Sequence, residues 1–372
     1  MKLNIAVLPG DGIGPEIVQQ SVKVLTAVAD RFDHDFYFEE AVVGAAAIDL
    51  LGNPLPDATL ELCKNSDAVL FGAIGDPKYD NDPSAKVRPE QGLLKLRKEL
   101  GLFANIRPVK AYDALIDRSP LKAENIKGAD MVIFRELTGG IYFGEKSTSK
   151  DGQTASDLCT YSVTEIERIA RLAFEAAKTR GKKVTLVDKA NVLETSRLWR
   201  KTVTTLAEKE FPEIDLDFLF VDNAAMQMIL NPKQFDVILT ENMFGDIISD
   251  EASVIGGSIG LLESASVGAE VALFEPIHGS YPQAAGKGIA NPVASILSAA
   301  MLLENFGLNA EALSIRKAVE MSIALNVCTP DINKDNHYST SKVGDFLESV
   351  ISDTENHMIN NENLNFGQMT II

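Results

Sequence analysis

FDVILTENMFGDIISDEAS, residues 235–253, reads as a short apolar run, a polar turn and the start of a helix. The run has the β-branched and aromatic content of a buried strand, and strand-turn-helix is the unit from which α/β sheets are built. The helical part sets Asp246 and Asp250 four residues apart, on one face, where like charges repel by about a few tenths of a kcal/mol. A solvated acidic face accounts for that spacing. So does a shared divalent cation, for which a small number of hard carboxylate oxygens suits Mg²⁺ or Mn²⁺.

The same unit recurs outward from this stretch. LNIAVL (3–8), FYFEEAVV (36–43), AVLFGAI (68–74), MVIFREL (131–137), KVTLVD (183–188) and LDFLFVD (216–222) read as strands. Residues 15–30, 89–100 and 163–179 read as helices, the last opened by the capping-box pair Ser162 and Glu165. Alternation of this kind predicts an α/β fold with a central, mostly parallel sheet, whose strand ends are where ligands sit. One segment breaks the rhythm. GGIYFGEKSTSKDGQTASDLCTYS (139–162) is polar and partly alternating, and reads either as an extended hairpin or arm toward a partner chain or as a surface loop. The polar, Asn-rich stretch from residue 352 onward reads as a loosely held tail.

At 372 residues the chain is long enough for about two domains. Its net charge of −18 argues against nucleic acid or an anionic membrane as main partner, so an anionic substrate needs a locally basic pocket. Three widely spaced cysteines, Cys63, Cys159 and Cys328, fit neither a disulfide framework nor a zinc site and point to a reducing, cytoplasmic setting. The longest apolar stretch, VASILSAAMLL (293–303), is about half a membrane span.

Two glycine-rich stretches resemble phosphate-binding motifs and fail on detail. LPGDGIGPE (8–16) spells G-x-G-x-G, and the acidic pair Glu39 and Glu40 lies too far on for a dinucleotide fingerprint, so a tight strand-to-helix turn is its expected role. GGIYFGEKST has Glu145 where a P-loop needs lysine, and no helical pattern follows.

Candidate chemistry concentrates at predicted strand ends. Arg97, Arg107 and Arg135 offer planar forks for the carboxylates of a diacid, or serve as salt-bridge residues. Lys189 and Asp222 follow KVTLVD and LDFLFVD, where a lysine of lowered pKa could act as base, although surface or capping roles are open to both.

Taken in order, LPGDGIGPE, PEQGLLKLRKEL (89–100), RELTGGIYFGE (135–145), VDKANVLETSRLWR (187–200), ENMFGDIISDEAS and HGSYPQAAGKGIANP (278–292) resemble the β-decarboxylating family of isocitrate and isopropylmalate dehydrogenases over nearly the whole chain. The resemblance implies a two-domain, non-Rossmann fold, with 1–103 plus 257–372 as cofactor-binding domain and 104–256, including the arm 139–162, as substrate and dimerisation domain. It also implies a closing cleft between the domains. Arg97, Arg107 and Arg135 would grip the substrate carboxylates, Tyr142 and Lys189 would be the acid/base pair, and Asp222, Asp246 and Asp250 would hold Mg²⁺ or Mn²⁺. Lys189 and Asp222 would cross a homodimer, so that each active site draws on both chains.

Within that family, Leu93, Leu94 and the partner's Val192 imply an apolar wall for an isopropyl group, hence oxidative decarboxylation of 3-isopropylmalate with NAD, in leucine biosynthesis. The competing reading has both leucines facing the core. A D-malate- or isocitrate-type relative and a catalytically silent subunit are the alternatives. Glu90, His278, Gly279, Ser280, Gln283 and Asn291 would contact the cofactor. Here the sequence departs from the family pattern: Gln283 stands where an aspartate is usual, and Tyr281 where a small residue is usual. Glutamine can bond a ribose hydroxyl but has no charge with which to repel a 2′-phosphate. NAD remains the expected cofactor, with weakened discrimination against NADP.

Overall fold

The structure is a computed structural model that describes residues 1–80 and 86–353; most of the predicted tail lies outside these residues. The chain forms two compact units, Met1–Leu102 with the described residues from Ser258 on, and Phe103–Gly257. In chain order the strands are β1 (Lys2–Gly10), β2 (Asp35–Glu40), β3 (Ala68–Ala73), β4 (Ala104–Lys110), β5 (Asp130–Glu136) and β6 (Lys146–Thr148). They continue with β7 (Ala155–Asp157), β8 (Lys183–Asp188), β9 (Asp215–Phe220), β10 (Val237–Thr240), β11 (Glu263–Val267) and β12 (Ala272–Pro276).

In the first unit the strands run β2-β1-β3-β12-β11, parallel except for the antiparallel β11/β12 pair. All six residues of β3 are buried, the signature of a strand covered on both faces. Leu8, Phe71 and Leu273 from three strands meet Leu96 of the helix Pro89–Glu99 in one apolar cluster. That contact fixes the helix and so places its next residue, Arg97. The apolar stretch near residue 300 is the helix Val293–Asn305, buried from Val293 to Glu304. It is a core helix, and no helix among the described residues is long and apolar enough to cross a membrane.

The turn after β1 does the work expected of LPGDGIGPE. Gly10 and Gly12 have φ of 71° and 57°, and a Cβ on Gly12 would lie 2.0 Å from the Ser280 carbonyl oxygen. Between them, Asp11 is buried and accepts the backbone N–H groups of Ala45, Ala46 and Gly75 at 2.9, 2.9 and 2.8 Å. One carboxylate thus ties the turn after β1 to the start of the helix Gly44–Leu51 and to the loop after β3. Burial pushes its pKa up against the pull of those bonds.

In the second unit the order is β4-β5-β10-β8-β9, with β4/β5 antiparallel and the others parallel. Ile133, Val187 and Ile238 pack with Ile248 of the helix Asn242–Ala252, so that helix starts at the carboxyl edge of the parallel strands. The helix Val163–Lys178 opens with the expected capping box: Ser162 Oγ accepts from the Glu165 amide, and the Glu165 carboxylate accepts from the Ser162 amide. Residues 139–162 fold as a turn and then the exposed β6/β7 hairpin, registered Lys146 to Asp157 and Thr148 to Ala155. The hairpin reading therefore holds over the loop reading. The strands at β11 and β12 are additions to those legible in the sequence.

Candidate active site

In the second unit Arg135, Lys189, Asp222 and the helix bearing Asp246 and Asp250 all follow from the carboxyl ends of β5, β8, β9 and β10. β10 lies between β5 and β8, so these ends adjoin. Arg135 is nearly buried and its Nη1 is ion-paired with Asp246 Oδ1. Tyr142 donates its phenolic hydrogen to the other oxygen, Asp246 Oδ2, at 2.9 Å. The Arg135 guanidinium lies 5.8 Å from the Tyr142 ring centroid. Burial, then the hydrogen bond to Asp246, pushes the Tyr142 phenol up from its ordinary value of 10. Tyr142 is therefore a neutral acid across the physiological range.

Arg107, buried on β4, bonds Asp250 Oδ1 and Ser249 Oγ through Nη1 at 3.2 and 2.6 Å, and Asn105 Oδ1 through Nε at 2.6 Å. Its Nη2 stands 3.9 Å from Asp246. Two arginines and two aspartates thus interleave, and the charge conflict within the acidic helix face is answered by guanidinium groups. Lys189 is ion-paired with Asp222, whose carboxyl it holds below the usual range.

The arrangement brings Asp246 and Asp250 together with Arg107, Arg135 and Tyr142. Asp222 stays apart with Lys189, and no three acidic, His or Cys side chains of the described residues form a metal group within one chain. Asp246 and Asp250 nonetheless carry exposed oxygens, with side chains 35% and 68% exposed, so their hard, accessible donors fit a divalent cation completed by further ligands.

The first unit carries a second constellation. Arg97 Nη2 is 2.8 Å from Glu275 Oε1, both side chains largely buried, while Arg97 Nε has no partner among the described residues. A buried, unused donor fits an anionic ligand. Leu93 is partly buried against the core cluster and Leu94 is exposed, so only Leu96 of the three is a true core residue. Glu90 Oε1 and Ser280 Oγ both lie against the Gly75 position, and Ser280 Oγ donates to the Gly75 carbonyl at 2.7 Å. His278 is held through Nδ1 by the Gly279 carbonyl at 3.0 Å, with Nε2 buried and without a partner among the described residues. Burial lowers its pKa, so the ring is neutral and fits a heterocyclic ligand better than a phosphate. Asn291 is tied to Asp331, and Tyr281 and Gln283 are exposed.

Sequence reasoning missed Glu275, the partner of Arg97, and Asn242, which holds Arg135. Glu275 had a legible signal: a carboxylate inside the apolar run ALFEP, where burial requires a counter-ion. The three cysteines are free, as their spacing suggested, with Cys63 and Cys328 buried.

Residues 4–347 match the family model of isocitrate/isopropylmalate dehydrogenase. The chain is 56% identical over 353 residues to a 3-isopropylmalate dehydrogenase of Bacteroides fragilis strain YCH46, covering 94% of this chain and 99% of that protein. It is 54% identical over 348 residues to one from Bacillus subtilis strain 168, covering 92% and 95%. Among solved structures it resembles an isocitrate dehydrogenase from Methylococcus capsulatus, with a TM-score of 0.83, 35% identity and coverage of 94% and 99%. A β-decarboxylating dehydrogenase from Thermococcus kodakarensis gives 0.78 at 39% identity, with coverage of 94% and 96%.

Proposed function

The chain belongs to the isocitrate/isopropylmalate dehydrogenase family, and we propose that it oxidatively decarboxylates 3-isopropylmalate to 2-oxo-4-methylpentanoate and CO₂ with reduction of NAD, in leucine biosynthesis. The observation that carries the reading is the interleaved set Arg135, Tyr142 and Asp246, which unites a carboxylate grip, a neutral proton donor and a cation ligand in hydrogen-bonding contact. High identity to enzymes named for that substrate, along nearly their whole length, supports it.

Arg97, Arg107 and Arg135 grip the two carboxylates with planar forks. Lys189 takes the proton of the C2 hydroxyl, and Tyr142 returns one to C3 after CO₂ departs. Asp222, Asp246 and Asp250 would hold Mg²⁺ or Mn²⁺, which would supply electron withdrawal at the C2 oxygen, and a bound nicotinamide would supply the hydride acceptor for C2. Glu90, His278, Gly279, Ser280, Gln283 and Asn291 bind the cofactor. Leu93, Leu94 and the partner's Val192 face the isopropyl group. Exposure of Leu94 and of Val192, at 42% and 60%, supports that role over a place in the core.

The working form is a homodimer in the cytoplasm. Met226, Ile229 and Leu230 on the helix Val221–Leu230, with Ile247 on the neighbouring helix, form an exposed apolar set that a second copy would cover. A second copy also brings Lys189 and Asp222 to the site that lacks a third cation ligand.

The test is formation of reduced nicotinamide, by absorbance, from 3-isopropylmalate with Mg²⁺, using NAD and NADP in parallel with and without EDTA. D-malate and isocitrate serve as comparison substrates. Turnover with NAD that EDTA abolishes supports the proposal. Faster turnover of either comparison substrate overturns the substrate assignment.

A further inference from the structure

Asn242 is 1% exposed and opens the helix that carries Asp246 and Asp250. Its amide is used at both ends. Oδ1 accepts from Arg135 Nε at 3.2 Å and from Arg135 Nη2 at 2.9 Å, so it takes one whole edge of the guanidinium fork. Nδ2 donates to the carbonyl of Gly139 at 3.2 Å. The backbone N–H donates to Tyr161 Oη at 3.0 Å.

These partners belong to two pieces of the site. With the Nε/Nη2 edge held, Nη1 of Arg135 is the nitrogen turned toward Asp246. Gly139 is the residue before the short turn Gly140–Tyr142, at whose end stands the phenol that bonds Asp246. That turn is tightly seated on the same network: Gly140 has φ of 73°, and a Cβ there would lie 2.2 Å from Tyr161 Oη. The Gly139 amide is fixed from the other side by Glu136 Oε2 at 2.7 Å.

We propose that Asn242 is a positioning residue that sets the guanidinium of Arg135 and the turn carrying Tyr142 in one shared geometry. The inference rests on the dehydrogenase reading above for the roles of Arg135 and Tyr142. The chemistry explains why the residue is an asparagine. A neutral amide presents an acceptor to the fork and, on a separate atom, a donor to the carbonyl at once. Aspartate would set a second carboxylate against Arg135, in competition with the substrate's, and would face the Gly139 carbonyl with no hydrogen to donate. Alanine would deprive both the fork and the carbonyl of their shared partner.

The experiment compares wild type with Asn242→Asp and Asn242→Ala in two assays. In steady-state turnover, Asn242→Asp, nearly the same shape as the native residue but without the hydrogen for Gly139, is expected to fold with a lowered melting temperature while KM for the dicarboxylate rises about tenfold or more. Asn242→Ala is expected to lower kcat as well, because the Tyr142 turn is released. In the absence of any substrate, an arginine-specific dione mapped by mass spectrometry is expected to label Arg135 several times faster in Asn242→Ala than in wild type, with Arg107 as internal reference.

A lower melting temperature with KM, kcat and Arg135 labelling all unchanged would reduce Asn242 to a structural residue and overturn the proposal. If the alanine variant fails to fold, KM of Asn242→Asp decides, and a wild-type KM there overturns it. A wild type inactive toward every 2-hydroxy diacid would sink the dehydrogenase reading instead, and the substrate-free labelling would still decide whether Asn242 holds Arg135.

Discussion

Tyr142 donates to Asp246 Oδ2 at 2.9 Å while Arg135 is ion-paired to Oδ1 of the same carboxylate. One aspartate therefore anchors the proposed proton donor and a proposed substrate-binding arginine together. Replacing Tyr142 by Phe is expected to lower kcat by about 100-fold or more, the usual span for loss of a general acid. Because the phenol is raised above its ordinary value of 10, it stays protonated through neutral pH. Any alkaline loss of activity below that pH must come from another group, and should be the same in Tyr142→Phe. A pH-rate profile of both proteins checks this.

Lys189 and Asp222 are ion-paired, the lysine holding the carboxyl below its usual range. If they serve the partner's site, Tyr142→Phe and Lys189→Ala subunits complement each other. Each mixed dimer then has one site with both groups intact. An equal mixture of the two inactive proteins, unfolded and refolded together, should recover about one quarter of wild-type activity. Recovery of none would place both groups in one chain's site.

Arg97 and Glu275 are a largely buried ion pair. Arg97→Met leaves the Glu275 carboxylate without its counter-ion, which should cost about 3–5 kcal/mol in denaturant unfolding. Adding Glu275→Gln should restore most of that stability without restoring affinity for the diacid. A double variant as unstable as the single would argue against direct coupling.

Glu241 is buried beside the carboxylates of Asp188 and Glu136, with one oxygen unpartnered among the described residues. Burial first, then repulsion from those two acids, raises its pKa to about 7 from an ordinary value of 4.5. The folded state thus holds a proton that the unfolded chain gives up. The sign follows: stability from this group is fully present below pH 4.5 and is lost as pH rises through about 7. Glu241→Gln should therefore be more stable than wild type at pH about 8, by on the order of 3 kcal/mol, with the advantage gone at pH about 4. Melting curves across that range decide it.

Gln283 is exposed in the HGSYPQ segment and brings no charge against a 2′-phosphate. Gln283→Asp should raise the preference for NAD over NADP about tenfold or more in kcat/KM, chiefly by weakening NADP. An unchanged ratio would show that the discrimination lies elsewhere.

Much of this was legible in the residues themselves. Apolar periodicity and capping pairs such as Ser162 and Glu165 depend on near neighbours, so the strands β1, β3, β5, β8 and β10 and the helices beside them could be read directly. The ordered motifs identified the family, and strand-end positions pointed to Arg135, Lys189 and Asp246. Distant pairing was not legible. β11 and β12 lack a strong period of their own and exist through their partners. Which of Leu93, Leu94 and Leu96 enters the core depended on what the helix packs against. That Glu275 answers Arg97, that Arg135 and Tyr142 share Asp246, and that Asn242 joins Arg135 to Gly139 are contacts between residues more than a hundred positions apart. Local chemistry chose the elements and the functional groups. Only the close approach of strand ends, where a buried charge or amide must find a partner, decided which groups act together.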